Sequence, residues 1–160
     1  MKKLQTVCVI RKDGKILLGL KKRGFGLGTW NGFGGKVEEL ETLLESVKRE
    51  TREEAGIEIT NVEKIGIIDF KFEDSAREIE CHFFTADIEK GEPTETEEMK
   101  PQWFDIENIP YSRMWPDDKL WVPMFLAGKK FRGRFLFNKP STTDEISKIL
   151  EEELLEVSAL

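Results

Sequence analysis

Apolar and polar positions follow a β-strand pattern over much of the chain. Residues 4–10 and 15–20 are apolar and β-prone, and the intervening RKDG sequence supplies the Asp-Gly pair of a tight hairpin turn. Residues 64–73 and 78–88 predict two more strands around a second turn, DSAR. Strands therefore dominate the predicted fold.

Helical patterns are confined to three segments. Residues 42–55 begin with a Thr-x-x-Glu capping box and end before Gly56, and residues 118–127 predict a short helix whose start is limited by Pro123. Residues 141–157 predict a C-terminal amphipathic helix, with Ile146, Ile149, Leu150, Leu154 and Val157 facing the core. We interpret its glutamates as a solvated face: Glu151, Glu152, Glu153 and Glu156.

Loops and shorter strands connect these elements. Residues 21–36 contain six glycines and predict a loop with tight turns. Residues 97–110 predict a loop entering a short strand, and residues 129–137 predict another strand. Many strands with two or three helices predict an α+β fold or a mixed-sheet α/β sandwich, in a single domain over residues 1–160.

Composition restricts the possible partners. The chain has 160 residues, a formal net charge of −6 and a pI of about 5.1. Because polymer-binding proteins usually neutralise phosphates with excess Lys and Arg, we expect no nucleic-acid polymer as partner, although a single nucleotide remains compatible. Cys8 and Cys81 lie in apolar stretches and predict two buried thiols in a reducing compartment. Without a signal-peptide or membrane-spanning pattern, we expect a cytoplasmic monomer with no membrane partner.

Three glutamates of the helix at residues 42–55 are a candidate metal site. Glu50, Glu53 and Glu54 share one helix face, because positions i, i+3 and i+4 lie within a turn. Their repulsion destabilises the bare helix, and a hard divalent cation such as Mg²⁺ or Mn²⁺ reverses that effect. The simpler explanation, for any single helix, is a solvated face laced with Glu–Arg pairs. The surrounding sequence decides between the two.

The glutamates belong to a long pattern with fixed gaps. Gly35, Glu41 and residues 49–57 match G-x5-E-x7-R-E-U-x-E-E-x-G-U, where U is a bulky apolar residue, and all seven fixed Gly, Glu and Arg positions are present. By this pattern, called the Nudix box, the chain resembles the Nudix hydrolase family. Two departures are Thr51 at the first U position and Leu40 where many members have Gly.

The resemblance implies a fold, a reaction and a metal site. The implied fold is an α/β/α sandwich with a mixed β-sheet between helices, and the implied reaction is metal-dependent hydrolysis of a nucleoside diphosphate linked to another group. The implied cofactor is Mg²⁺, with Mn²⁺ as an alternative. The implied metal ligands are the Gly34 carbonyl, Glu50, Glu53, Glu54 and Glu98. Glu54 is favoured as the base over its rival Glu53, and Arg49 is expected to orient the glutamates.

Segments beyond the box extend the resemblance to family members that hydrolyse oxidised purine nucleoside triphosphates. These segments are LLGLKKRGFGLGTWNGFGGKV, EEMKPQWF, IPYSRMWPDDKLWVP and KKFRGRFLF, and the match covers about residues 4–137. Such enzymes release a monophosphate and pyrophosphate from substrates such as 8-oxo-dGTP and 2-oxo-dATP. The implied substrate contacts are Thr6, Lys21, Phe25, Asn31, Phe33, Gly35, Lys36, Phe70, Trp115, Asp117 and Asp118.

The adjacent Asp117 and Asp118 follow Trp115 and precede Trp121. Two neighbouring carboxylates in an apolar pocket should share a proton, because ionising both is costly. A protonated Asp donates and an ionised Asp accepts, so the pair can present different faces to oxidised guanine and oxidised adenine. Asn31 offers a donor and an acceptor to another part of the base. The alternative interpretation is a helix N-cap, and Asp118 can serve both purposes.

Two other functions remain open from the sequence. One is a Nudix hydrolase of another nucleoside diphosphate derivative, such as a dinucleotide or a nucleotide sugar, which the Asp pair and Asn31 disfavour. The other is a non-catalytic nucleotide sensor, which the intact glutamate cluster disfavours. His82, the only histidine, lies among apolar neighbours in a predicted strand and is interpreted as structural.

Overall fold

The computed structural model describes residues 2–160. Within that range the chain forms nine strands, two α-helices and two short 3-10 turns at Ile106–Asn108 and Tyr111–Arg113. The strands are β1 (Lys2–Lys12), β2 (Lys15–Lys21), β3 (Trp30–Asn31), β4 (Phe33–Lys36), β5 (Glu58–Phe72), β6 (Glu78–Lys90), β7 (Met99–Asp105), β8 (Lys130–Phe137) and β9 (Ile149–Val157). The helices are α1 (Leu43–Ala55) and α2 (Asp118–Leu126).

One mixed sheet contains all of these strands. Their order is β3-β2-β1-β6-β5-β8-β9, with β4 also paired to β1 and β7 also paired to β2. The pairs β1–β6 and β5–β8 are parallel and the other pairs are antiparallel. Buried apolar residues of α1 and α2 belong to two separate core clusters, one for each helix. The predicted α+β class, with a mixed sheet between helices, is confirmed.

Local signals explain the first hairpin and the first helix. Asp13 and Gly14 connect β1 to β2 with φ angles of 52° and 74°, as expected for a tight hairpin turn. The predicted capping box of α1 is present, because Thr42 and Glu45 each accept a hydrogen bond from the other's backbone N–H. Gly56 ends the helix in the left-handed conformation, with φ of 70°.

The predicted C-terminal helix is wrong. Residues 149–157 form β9, which pairs antiparallel with β8 from Phe137 opposite Ile149 to Lys130 opposite Val157. Glu and Leu favour a helix locally, but pairing with β8 supplies backbone hydrogen bonds and buries part of Leu154 against the core. The four glutamates are exposed on this strand, so only their predicted solvation is confirmed.

Two further predictions concern the glycine-rich segment and the cysteines. The segment at residues 21–36 is not entirely loop, because it contains the short strands β3 and β4. Cys8 and Cys81 are buried free thiols, as predicted. Among residues 2–160, no helix has the length and apolar character needed to cross a membrane.

Candidate active site

A cavity of about 250 Å³ is bounded by β1, β4, β5, β6 and the start of α2. Ten of the eleven predicted substrate residues line it, together with Glu54 and Gly34. The ten are Thr6, Lys21, Phe25, Asn31, Gly35, Lys36, Phe70, Trp115, Asp117 and Asp118. Residues from distant parts of the chain therefore meet in one cavity.

Glu54 is a buried carboxylate on the wall of this cavity. Its side chain is 3% exposed, and its Oε1 accepts a 2.7 Å hydrogen bond from the backbone N–H of Gly34. Burial raises the pKa of Glu54 to about 8, although the Gly34 N–H and the charge of Lys21 act in the opposite direction. The negative charges of Glu50 and Glu98 add to the rise. The positive charge around Glu54 is therefore too small to offset the cost of burying its ionised form.

Arg49 organises the other acidic residues of the box. Its guanidinium donates two hydrogen bonds to Glu41, at 2.7 and 3.0 Å, and one to the Lys36 carbonyl at 3.2 Å. It also donates to Glu50 at 3.0 Å and to Glu53 at 3.2 Å. The Arg49 hydrogen bonds hold the pKa of Glu41 at about 2. This geometry fits the predicted orienting role of Arg49.

The three box glutamates differ in environment. Burial raises the pKa of Glu50, and the charge and hydrogen bond of Arg49 oppose that rise. Its carboxylate lies against Gly35, where an added Cβ would come within 2.7 Å of Oε1. Glu53, in contrast, has a side chain that is 56% exposed. Glu50 and Glu54, one helical turn apart, are thus directed towards β4, whereas Glu53 is directed towards solvent.

Asp117 and Asp118 lie at the apolar part of the cavity and are 2% and 7% exposed. The indole Nε1 of Trp121 donates to Asp117 Oδ2 at 2.9 Å and to Asp118 Oδ1 at 3.0 Å. Burial raises the pKa of Asp117 to about 6, and burial with the neighbouring Asp117 charge raises the pKa of Asp118 further. Asp117 occupies the N-cap position of α2 but makes no side-chain capping bond, which removes the capping explanation for it.

One buried oxygen of this pair has no hydrogen-bond partner among residues 2–160. Asp117 Oδ1 is buried without a hydrogen bond, whereas Asp117 Oδ2 is bound by Trp121. On another wall of the cavity, the Asn31 amide N–H group donates to the carbonyl and hydroxyl of Thr29, at 3.0 and 2.9 Å. These bonds orient Asn31 and leave its side-chain oxygen as an acceptor.

Aromatic rings form a wall beside the Asp pair. Phe25 and Trp115 are tilted by 34° with centroids 5.2 Å apart, and Phe72 meets both rings edge-on. Phe70 stacks on Phe137 at 5.7 Å. Flat apolar surfaces of this kind suit the face of a planar ring system.

A comparison with protein families agrees with this geometry. A family model described as NUDIX domain matches residues 2–125. The chain belongs to the Nudix family. The prediction of a Nudix hydrolase is therefore confirmed.

Curated relatives and a solved structure resemble this Nudix chain over most of its length. A Mus musculus protein named oxidized purine nucleoside triphosphate hydrolase is 47% identical, over 88% of this chain and 90% of the relative. A Danio rerio protein of the same name is 50% identical, over 84% and 86%. The crystal structure of a MutT protein from Bacillus halodurans superposes with a TM-score of 0.77 at 28% identity, over 95% and 97%.

Nudix hydrolases need a divalent metal ion, and the donors of this chain fit one. Within residues 2–160, no three acidic, His or Cys side chains already form a ligand cluster. Arg49 engages Glu50, and Arg23 pairs with Glu98. The partly buried Glu50 and the buried Glu54 nevertheless have raised pKa values, so a hard cation would stabilise their ionised forms with the oxygen ligands that it prefers.

Phe33 and Thr6 have environments that differ from those of the other predicted substrate residues. Phe33 does not line the cavity, since its ring is fully buried in the cluster that includes α1 residues. Side chains alternate along β4, so its neighbour Gly34 borders the cavity while Phe33 is directed into the core. Thr6 lines the cavity, but its hydroxyl lies 3.3 Å from that of Ser46 in α1.

Among the cavity residues that sequence reasoning missed are three on β6, which are Ile79, Cys81 and Phe83. They alternate with Glu80 and His82, a period of two that places all three on one face of the strand. That alternation was the available signal. His82 belongs to the other face, where its Nε2 lies 2.8 Å from Glu80, in agreement with a structural role.

Proposed function

We propose that this Nudix protein hydrolyses oxidised purine nucleoside triphosphates to the monophosphate and pyrophosphate, as in nucleotide-pool sanitation. One observation carries the proposal. The buried Asp117–Asp118 pair, with one unpartnered oxygen, shares a cavity with the buried Glu54. The names of the Mus musculus and Danio rerio relatives support the same substrate class.

The Asp pair and Asn31 are proposed to read the base. The raised pKa values of both aspartates support a pair that holds a proton near neutral pH. Such a pair offers one donor and several acceptors to the polar edge of a purine, and relocation of the proton changes the pattern offered. The oriented oxygen of Asn31 is proposed to accept a hydrogen bond from the base. Trp115 and Phe25 are proposed to stack on the ring.

Residues at the other end of the cavity are proposed to act on the phosphates. Lys21 and Lys36 both line the cavity and are proposed to bind phosphoryl oxygens, with Gly35 allowing close approach. Glu50 and Glu54 are proposed as the main ligands of Mg²⁺, or alternatively Mn²⁺, with the Gly34 carbonyl, Glu53 and Glu98 as further ligands. When bound, the cation neutralises phosphoryl charge and makes a water molecule more acidic.

Glu54 is also proposed as the group that takes a proton from the attacking water. Its burial beside the cavity and its hydrogen bond to the Gly34 N–H support this role, whereas Glu53 is largely exposed. Arg49 is proposed to hold Glu50 and Glu53 in position rather than to contact phosphate. Four of its acceptors are groups of the box and of β4.

We further propose a single domain over residues 1–160 and a cytoplasmic monomer. The family model ends at residue 125, but β8 pairs with β5 and β9 pairs with β8, so the rest of the chain continues the same sheet. Two buried free thiols and a net charge of −6 support a reducing compartment and a small-molecule nucleotide partner.

Pyrophosphate release in the presence of Mg²⁺ tests the proposal, with 8-oxo-dGTP, 2-oxo-dATP, dGTP and a dinucleoside polyphosphate as substrates. We expect a strong preference for the two oxidised triphosphates, and Asp117→Asn should change this preference without changing the Mg²⁺ requirement. Turnover of the dinucleotide alone would contradict the proposed pocket while retaining Nudix chemistry. Absence of turnover with every substrate would favour a nucleotide sensor.

A further inference from the structure

Phe25 of the aromatic wall lies in a glycine-rich turn. It lies between Gly24 and Gly26, whose φ angles are 76° and 82°. Glycine adopts this left-handed region freely, and the turn is closed by hydrogen bonds from the Leu27 N–H to the Gly24 carbonyl and from the Thr29 N–H to the Gly26 carbonyl, both 3.1 Å long. These bonds fix the backbone of the turn, whereas the orientation of the Phe25 ring depends on the contacts of its side chain.

Arg77 supplies one of those contacts from a different part of the chain. Its guanidinium carbon is 4.4 Å from the centroid of the Phe25 ring, which is within the range of a cation–π interaction. Arg77 lies in the turn between β5 and β6 and does not itself line the cavity. The same Phe25 ring meets Trp115, with centroids 5.2 Å apart. The charged side chain and the cavity wall are thus connected through one phenyl ring.

Other attachments of this loop do not involve Phe25. The carbonyl of Gly28 accepts from Arg113 at 3.4 Å, and the carbonyl of Leu27 accepts from the Thr143 hydroxyl at 3.3 Å. Both bonds hold the backbone after Phe25. They give the loop a fixed end near β3 but do not orient the Phe25 ring.

We propose that Arg77 is a positioning residue of the nucleotide pocket, because it holds Phe25 against Trp115 before a base enters. This inference rests on the proposed function. A wall that is ordered in advance lowers the entropic cost of binding a planar base. Since Arg77 is outside the cavity, its loss should weaken binding of substrate and transition state equally, which raises KM and leaves kcat unchanged.

Three variants test the role of the charge. Arg77→Gln removes the cation, Arg77→Lys retains it, and Arg134→Gln is the control, since Arg134 is an exposed arginine of β8 that pairs with Glu153. For Arg77→Gln we expect KM for 8-oxo-dGTP to rise by about two- to fivefold at constant kcat. Arg77→Lys should keep KM close to that of the unmodified protein, because the cation is retained. The Arg134→Gln control should behave as the unmodified protein.

A ligand-free measurement separates this inference from the proposed function. In protein labelled with fluorinated tryptophan, the ¹⁹F signal of Trp115, assigned with Trp115→Phe, should shift in Arg77→Gln and not in Arg134→Gln. A shifted signal without turnover of any nucleotide would support the Arg77 contact and overturn the proposed function instead. An unchanged signal would overturn the role of Arg77, as would equal effects of Gln and Lys on KM.

Discussion

The carboxylate of Glu54 and the backbone N–H of Gly34 form a 2.7 Å hydrogen bond between α1 and β4. This bond orients the side chain but does not compensate for its burial, since the pKa of Glu54 remains raised to about 8. The protein therefore holds a carboxylate in a place where its ionised form is costly. Such a group is useful for binding a cation and for accepting a proton.

Glu54→Gln should separate activity from stability. The Gln side-chain oxygen can keep the Gly34 hydrogen bond, while the costly negative charge is removed. We expect the rate of pyrophosphate release to fall by about a hundredfold or more. The melting temperature without metal should be unchanged or higher at mildly alkaline pH.

Thermal melting with and without Mg²⁺ checks the same variant independently of turnover. Mg²⁺ should raise the melting temperature of the unmodified protein and have much less effect on Glu54→Gln. Glu153→Gln, which removes an exposed glutamate of β9, is the matched control and should respond to Mg²⁺ normally. Unchanged turnover in Glu54→Gln would exclude the assigned role.

The Asp pair makes stability depend on pH in a defined direction. Burial raises the pKa of Asp117 from an ordinary 3.8 to about 6 in the folded state, so the folded protein binds more protons than the unfolded chain over this interval. Its favourable contribution is therefore complete below about pH 4 and is lost as the pH rises through about 6. Glu54, with its raised pKa, acts in the same direction at higher pH.

The Asp117→Asn variant isolates the part of this pH dependence that is due to Asp117. Relative to the unmodified protein, the free energy of unfolding of the variant should gain on the order of 1–3 kcal/mol between about pH 4 and about pH 7. Urea unfolding without metal, measured across this range, gives the difference directly. Asp144→Asn, in the connection between β8 and β9, is a control. If the difference in free energy of unfolding does not vary with pH, the pKa of Asp117 is not raised in the folded protein.

Leu40 has a left-handed backbone at the position where many family members carry glycine. Its φ is 68° and its side chain is 98% exposed, so no packing compensates for the conformation. Because that conformation costs an L-residue about 1–2 kcal/mol, Leu40→Gly should raise the free energy of unfolding by about 1 kcal/mol. Leu40→Ala keeps a Cβ and should have little effect; an equal gain would implicate side-chain exposure instead. Denaturant unfolding measures both.

The Arg49→Lys variant tests whether the Nudix box requires a planar guanidinium. Lysine cannot reproduce the paired bonds to Glu41 while also reaching Glu50. We expect Arg49→Lys to lower kcat by about tenfold or more and to leave the binding of 8-oxo-dGMP unchanged, as determined by tryptophan fluorescence. Arg52→Lys, an exposed arginine of the same helix that pairs with Glu58, should lower neither. A similar loss in both variants would indicate a general effect on α1.

The sequence predicted the elements whose signals are local. The capping box fixes the start of α1 through contacts three residues apart, and the Asp-Gly pair needs only its own backbone to form the first hairpin. The box glutamates were placed correctly on one helix. Their different burial was not predictable, since it depends on β4, which reaches α1 from an earlier part of the chain.

Features that depend on long-range contacts were missed. The Glu- and Leu-rich segment before Val157 has a helical preference, and pairing with β8 overrides it. Phe33 was assigned to the substrate, although its side chain is buried in the core, because the faces of the short, glycine-containing strand β4 are defined only by its pairing with β1. Arg77 was missed because nothing near it in the sequence indicates a contact with Phe25.

Strand β9 forms an open edge of the sheet. Within residues 2–160, β9 has β8 on one side and no partner strand on the other, so its outer backbone groups are open to another chain. Four of its nine residues are exposed glutamates. A second copy that added its own β9 to this edge would bring eight carboxylates together, and such like charges oppose association. The residues that suggested a helix thus protect the protein against edge-to-edge aggregation.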